Sequence, residues 1–313
     1  MPSYISHAIM GEQLYNELDR EGHIFQIPIS KEEFKGYSLG ADLAFLSTKI
    51  TNDPQNYHTR EFFINMLKYI KENKLIENSN VIALLYGHIA HYFLDINTHP
   101  LIYYTEQGCQ RVGFIPNHDL VEGYISSYLS QKILGRKIME IKPDYFNQID
   151  LSNPNISKLL NSIYGQMYGD YNIIKSYKKV ISLFSLLEDI IKSGLIPEKM
   201  LIQISQFNQF LHRNNLTTSE LVNDSHSTYT NPVTGEKHNE SLIDLYNKSI
   251  EMAYEAIKVV NEYLYSRSDT LNLEQVFTDL SYDTGVKCSL GKKYAYVRKK
   301  TMPKKIEIIK SKI

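Results

Sequence analysis

The sequence predicts an all-α protein. Apolar residues recur at helical spacing along most of the chain, and no stretch before residue 285 alternates apolar and polar residues as a half-buried strand would. Hydrophobic residues make up 42% of the 313 residues, which is enough for a large core. We expect a multi-helix domain over residues 1–265, followed by a basic extension over 266–313 whose composition allows partial disorder.

The order of the helices follows from apolar spacing and from capping residues. A first helix is expected over residues 4–20, and Thr59 is placed to cap another. Asn80 is placed to cap a central helix, which we expect to end before Pro100 because proline lacks the backbone N–H that a helix interior uses. Further helices are expected at 117–134, 143–150, 155–167, 171–193, 197–212 and 239–265.

Bulk composition excludes several function classes. The formal net charge is −1, so no overall field points to nucleic acid. No apolar run approaches the roughly 20 residues of a membrane-spanning helix. The N-terminus lacks a basic region followed by an apolar run. The two cysteines, Cys109 and Cys288, are far apart, fit no metal-binding spacing and require no structural disulfide, so we expect a cytoplasmic protein.

The C-terminal tail is the one strongly charged segment. Ten lysines and arginines lie between Lys287 and Ile313, against the single acid Glu307. Such a segment is usually a solvated terminus, but it also suits peripheral contact with anionic lipid or RNA.

The central helix carries an unusual polar stripe. At about 100° per residue, four side chains fall within about 80° of one another around the helix axis. They are His88, His91, Asp95 and His99. Three imidazoles and a carboxylate in register repel one another when protonated and cost desolvation energy when buried. A divalent metal that takes the neutral imidazole nitrogens and the carboxylate as ligands removes both problems.

A second pair on the following helix strengthens the metal interpretation. His118 and Glu122 lie one helical turn apart, about twenty residues after the stripe. Either pair alone would usually be a surface ion pair or a packed histidine. Together with upstream residues they form an ordered candidate ligand set: His7, Asp42, His58, His91, Asp95, His99, His118 and Glu122.

These motifs resemble the zinc-dependent phospholipase C family, which includes secreted bacterial phosphatidylcholine-preferring enzymes and the clostridial alpha-toxin. Its fold is more distantly related to fungal single-strand nucleases. The segment from His91 to Asp95 resembles the family's His-Tyr-x-x-Asp motif, and His118-x-x-x-Glu122 resembles its later metal-binding helix. Gly40-Ala-Asp42 resembles the family's Gly-x-Asp turn, His58 the isolated histidine after it, and His7 the N-terminal histidine.

The resemblance implies a role for each ligand. One zinc would be held by His58, His91 and Asp95 with Asp42 close by, and a second by His99, His118 and Glu122. Asp95 would bridge toward a third site shared with His7. The secreted enzymes complete that site with an N-terminal tryptophan, and this chain has none. Asp42 is either a ligand or the general base that takes a proton from the attacking water.

We therefore expect a zinc-dependent phosphoric diester hydrolase, phospholipase C-like, that uses two or three zinc ions. Two alternatives remain: a nuclease or small-molecule phosphodiesterase on the same metal site, and a non-catalytic helical protein stabilised by zinc. His88 is expected either to support a ligand from behind or to pack in the core. Tyr57, Tyr103 and Tyr104 are candidates for the cleft mouth, where a ring would face a choline-like cation of a phospholipid, and the sequence does not choose among them.

Overall fold

A computed structural model describes residues 4–22, 24–47, 49–50, 54–109, 117–137, 149–192, 218–266 and 271–291 of the chain. The expected all-α architecture is confirmed. The described helices and strands are α1 Tyr4–Arg20, α2 Lys31–Tyr37, α3 Thr59–Glu72, α4 Ser79–Gln107, α5 Asn117–Leu134, α6 Pro154–Tyr168, α7 Ile173–Lys192, α8 Thr218–Val222, β1 Tyr229–Thr230, β2 Lys237–His238, α9 Leu242–Tyr265 and α10 Leu271–Val276. Short 3₁₀ helices lie at Gly40–Ala44 and Cys288–Leu290.

Helix α4 forms the centre of the molecule. Nearly all of its side chains from Val81 to Thr105 are buried, because α1, α2, α5, α6 and α9 pack around it. A helix that is buried on every side needs no polar face, and its polar residues therefore call for a separate explanation. The helix begins two residues earlier than expected, since Asn78 rather than Asn80 is the cap and accepts the Val81 N–H at 3.2 Å.

Pro100 does not end α4, contrary to the sequence expectation. The helix continues to Gln107 with the proline inside it. The ring has no N–H to give to the Ile96 carbonyl four residues earlier, so that oxygen lacks its usual helical donor. Gly285 lies against this oxygen: a Cβ atom there would be 2.3 Å from it, and the backbone φ of Gly285 is +65°. The proline is thus accommodated where a distant glycine packs against the helix.

Five other helices lie close to their predicted bounds, whereas the short helices α8 and α10 were not predicted. Helix α5 spans the expected residues, and α1, α6, α7 and α9 differ by at most a few residues at each end. The cap position of α3 is His58 rather than Thr59, and His58 takes the left-handed conformation with φ 56°. The helices expected at 143–150 and 197–212 lie outside the described residues, apart from 149 and 150, which are not helical.

The segment after α9 continues the same core. Leu273, Phe277 and Tyr282 are buried, and Phe277 stacks on Phe63 of α3 at 4.4 Å between ring centroids. The core therefore extends past the expected domain end at residue 265. Residues 279–288 form a turn within this part of the chain, referred to below as the 279–288 turn. The basic residues 292–313 lie outside the described ranges. None of the described helices is long and apolar enough to cross a membrane.

Candidate metal centre

Asp95 lies at the middle of a buried cluster on α4. One of its carboxylate oxygens, Oδ2, is 3.1 Å from His91 Nε2, and the other, Oδ1, is 3.3 Å from His7 Nε2 of α1. The two imidazole rings stack on each other at 3.9 Å between centroids. His7, His91 and Asp95 form what we call the first ligand group, whose nitrogen and oxygen atoms lie close enough to share one metal ion.

The backbone before the Gly40–Ala44 helix orients His91. His91 Nδ1 lies 3.2 Å from the Ser38 carbonyl, which only accepts, so Nδ1 donates and Nε2 is left to face Asp95. Gly40 has φ +49°, and a Cβ atom there would lie 2.5 Å from the His91 ring. Only glycine lets this backbone lie against the ring, and the contact brings Asp42 Oδ1 to 3.8 Å from His91 Nε2.

A second ligand group consists of His99, His118 and Glu122. Glu122 Oε1 lies 3.1 Å from His99 Nε2 and 2.9 Å from His118 Nε2. His118 and Glu122 are one turn apart on α5, and His99 reaches them from α4, so the group forms where these two helices pack. His99 and Glu122 are buried, and His118 is half-buried.

Asp95 also joins the two groups. Its Oδ1 lies 3.8 Å from His99 Nδ1, so one carboxylate contacts histidines of both groups. A cavity of about 20 Å³ lies between them, lined by His7, Asp95, His99 and Glu122 together with apolar residues of α4 and α5. That volume has room for about one water-sized species.

The three side chains of the second ligand group strongly shift one another's pKa values. Burial alone would raise the pKa of Glu122, but His118 and His99 lower it to about 2. Burial opposes the charged form of both histidines, yet the neighbouring carboxylates raise the pKa of His99 to about 9 and that of His118 to about 10. In the same way, His91, His99 and His7 outweigh burial and hold the pKa of Asp95 well below its usual range.

The donor atoms of the cluster fit a metal. Three buried atoms of the cluster make no hydrogen bond: His7 Nδ1, Asp42 Oδ2 and Glu122 Oε2. His91 Nε2 and Asp95 Oδ2 lie 3.1 Å apart, but their contact lacks hydrogen-bond geometry. Leaving such atoms unpaired is costly, and ligation by a cation removes that cost. Imidazole nitrogens and carboxylate oxygens are ligands that zinc accepts, and a zinc ion held by three protein ligands in either group would be able to bind water as well.

Asp42 lies beside the first ligand group rather than within it. Burial raises the pKa of Asp42 to about 7, against the lowering effect of His91. Its Oδ1 accepts a hydrogen bond from Gln55 Nε2 at 3.1 Å, and its Oδ2 has no hydrogen-bond partner. A carboxyl group with these properties suits a proton acceptor at neutral pH, and it is also placed to approach a metal.

The structure does not bring two of the expected residues into the cluster. The side chain of His58 is 62% exposed, and its Nδ1 lies 3.8 Å from Glu61, so His58 belongs to neither ligand group and its role as a ligand stays a prediction. Tyr57 is exposed, which leaves the predicted cation contact open. His88 is buried; its Nδ1 donates to the Leu84 carbonyl at 2.9 Å, and burial lowers its pKa to about 3.

Two contacts to the histidines could not be read from the motifs. His118 Nδ1 lies 2.8 Å from Glu106 Oε2, and His99 Nδ1 lies 2.6 Å from the Tyr282 carbonyl. Such partners hold a metal-bound ring in place through its other nitrogen. Glu106 lies on the stripe of α4, five turns after His88, and would have been found had the helix been extended through Pro100.

The comparison with known proteins agrees with the geometry. The family model described as zinc-dependent phospholipase C matches residues 6–190, which is more than half of the chain and includes both ligand groups. No curated protein and no solved structure matches the chain. With two buried groups of zinc-competent ligands inside the matched region, the chain belongs to the zinc-dependent phospholipase C family.

Proposed function

We propose that the protein is a phospholipase C-like phosphodiesterase that hydrolyses a phospholipid-type phosphate ester at a site of two zinc ions. The observation that carries the proposal is the position of Asp95, whose two oxygens contact histidines of both ligand groups. Family membership supports zinc and a hydrolase, and the paired groups support two adjacent metals.

In this proposal each part of the site has a separate task. Zinc, when bound, would act as a Lewis acid toward the phosphoryl oxygens and would lower the pKa of a water molecule. His91 and His99 hold their Nε2 atoms toward the carboxylates because their Nδ1 atoms are bonded to backbone carbonyls. Asp42, with its pKa raised by burial to about 7, accepts the proton of the attacking water.

The proposal is tested by zinc content and turnover measured on the same preparations. The wild-type protein should hold two zinc equivalents after exhaustive dialysis and should hydrolyse phosphatidylcholine in vesicles. Asp95→Asn should lose both zinc equivalents and turnover together. Asp170→Asn is the matched control, because Asp170 is also 2% exposed but bonds to Ser47 and to the Asn172 N–H instead of to histidines. Asp42→Asn should keep zinc and lose turnover.

The outcomes separate the alternatives. Turnover of nucleotide or artificial diesters without turnover of phosphatidylcholine would favour a nuclease or a small-molecule phosphodiesterase on this site. Two zinc equivalents without hydrolysis of any diester would favour a zinc-stabilised protein without catalysis. Fewer than one zinc equivalent in the folded wild-type protein would refute the proposal. The cytoplasmic location and a membrane contact of the basic tail remain predictions from the sequence.

A further inference from the structure

The backbone of Tyr282 connects the two sides of the metal centre. Its carbonyl accepts a hydrogen bond from His99 Nδ1 at 2.6 Å, and its N–H donates to the Gln55 carbonyl at 2.9 Å. The Gln55 side chain in turn donates to Asp42 at 3.1 Å. The peptide segment at Tyr282 therefore contacts His99 of the second ligand group directly. It also contacts Gln55, which in turn bonds to Asp42 beside the first ligand group.

Asn56 anchors this segment from both sides. Its side-chain oxygen accepts from Ser281 Oγ at 2.5 Å, and its amide nitrogen donates to Asp283 Oδ2 at 2.6 Å. The other oxygen of Asp283 accepts from the Tyr103 hydroxyl at 3.3 Å. The Tyr103 ring stacks on the His118 ring at 4.6 Å between centroids. All four side chains that make these hydrogen bonds are buried, so the bonds do not compete with bulk water.

We propose that the 279–288 turn positions His99 for the metal, with the Tyr282 carbonyl as the positioning group and Asn56 and Asp283 as its anchors. A carbonyl only accepts, so His99 must carry its proton on Nδ1 and present Nε2 toward Glu122. Without the carbonyl, the Nδ1–H loses its acceptor, and the contact of Nε2 with Glu122 at 3.1 Å would be left to orient the ring. The turn lies outside the family-matched residues 6–190, so the match itself assigns it no part in the site.

The expected size of the effect follows from comparable contacts. Removing a group that holds a metal-bound histidine typically weakens metal binding by about 10- to 100-fold. Asn56→Ala deletes both anchoring hydrogen bonds without changing any of the ligand residues. The variant should therefore lower the affinity for one zinc ion by about 10- to 100-fold. The affected ion is the one held by His99, His118 and Glu122. The inference rests on the zinc binding of the proposed function.

Asn261→Ala is the matched control. Asn261 is 8% exposed, as is Asn56, and it also makes two side-chain hydrogen bonds: it accepts from the Tyr86 hydroxyl and donates to the Ile24 carbonyl. Both variants lose a buried asparagine, but only one loses an anchor of the turn. Zinc affinity is measured for each equivalent by competition with a chromogenic chelator. The Nδ1–H of His99 is followed by NMR in zinc-loaded protein labelled with ¹⁵N-histidine.

The inference is supported if Asn56→Ala selectively lowers the affinity for one zinc ion and speeds the exchange of the His99 Nδ1–H. Asn261→Ala should show neither change. Equal weakening in both variants, or an unchanged His99 signal in Asn56→Ala, would overturn it. If Asn56→Ala does not fold, Asp283→Asn, which keeps the side-chain volume, is judged by the same criteria. A wild-type protein that binds no zinc would overturn the proposed function as well, whereas full zinc binding with unaffected variants would overturn only this inference.

Discussion

Glu122→Gln isolates the electrostatic strength of the second ligand group. The change keeps the shape of the side chain and removes the charge that faces His99 and His118 at 3.1 and 2.9 Å. In metal-free protein the two histidines then lose the carboxylate that raises their pKa values, while burial continues to oppose their charged forms. We expect a large loss of folding stability that depends on pH in a way the wild-type pKa values specify.

The magnitude follows from the pKa of Glu122, which falls from 4.5 to about 2 on folding. At 1.36 kcal/mol per pKa unit, this corresponds to about 3 kcal/mol of stability. The pKa of His118 rises further from its ordinary value, to about 10, because Glu106 acts on it as well. The Glu122 figure is therefore the better measure of what this substitution removes.

The sign of the pH dependence is set by the lowered pKa. A carboxyl group with a depressed folded-state pKa contributes its full stability above the unfolded value of 4.5 and loses it as pH falls toward about 2. The difference in unfolding free energy between wild type and Glu122→Gln should thus be about 3 kcal/mol near pH 6 and about 1.5 kcal/mol near pH 3. Urea unfolding of chelator-treated protein at several pH values measures it.

Glu255→Gln serves as the control for this experiment. Glu255 pairs with Lys258 at 3.1 Å on the exposed face of α9, and such a pair contributes less than about 1 kcal/mol. A difference below about 1 kcal/mol for Glu122→Gln near pH 6, or a difference that does not shrink toward acid, would show that the group is not held together by these charges.

Two further substitutions test other parts of the site. Gly40→Ala should cost about 2 kcal/mol or more, because it adds backbone strain at φ +49° and a Cβ atom 2.5 Å from the His91 ring. Gly135→Ala, at φ +64° with open space around it, should cost only the strain, about 1 kcal/mol; equal losses in urea unfolding would contradict the close contact. Glu106→Gln should lower the affinity for one zinc ion by about 10- to 100-fold, measured by competition with a chelator. An unchanged affinity would mean that the contact of Glu106 with His118 does not support metal binding.

Much of the site could be predicted because several of its ligands are spaced by one helical turn along the same helix. His91, Asp95 and His99 are spaced by one helical turn, so any helix through them places their side chains on one face. The same holds for His118 and Glu122 on α5, whose bounds were predicted at both ends. Helical periodicity therefore predicted the members that share a helix, but it did not place His7 in the first ligand group in the position expected of His58, nor did it show how the helices meet.

The remaining features depend on contacts that periodicity does not encode. The Tyr282 carbonyl is 183 residues from His99, and a backbone oxygen carries no side-chain signature. Glu106 was missed because Pro100 was expected to end α4, whereas packing by Gly285 accommodates the proline. His58 is exposed and has a left-handed backbone, and a lone histidine in a loop sequence reveals neither feature.

The contact between the 279–288 turn and His99 also bears on the order of events during synthesis. All six residues of the two ligand groups lie within the first 122 positions, so the ribosome makes them well before Tyr282. A nascent chain has every ligand atom but lacks the acceptor that fixes the His99 ring until the last described segment has emerged and docked. Contacts of such long sequence separation form slowly, so we expect the His99 ring to be fixed only after most of the helical core is in place.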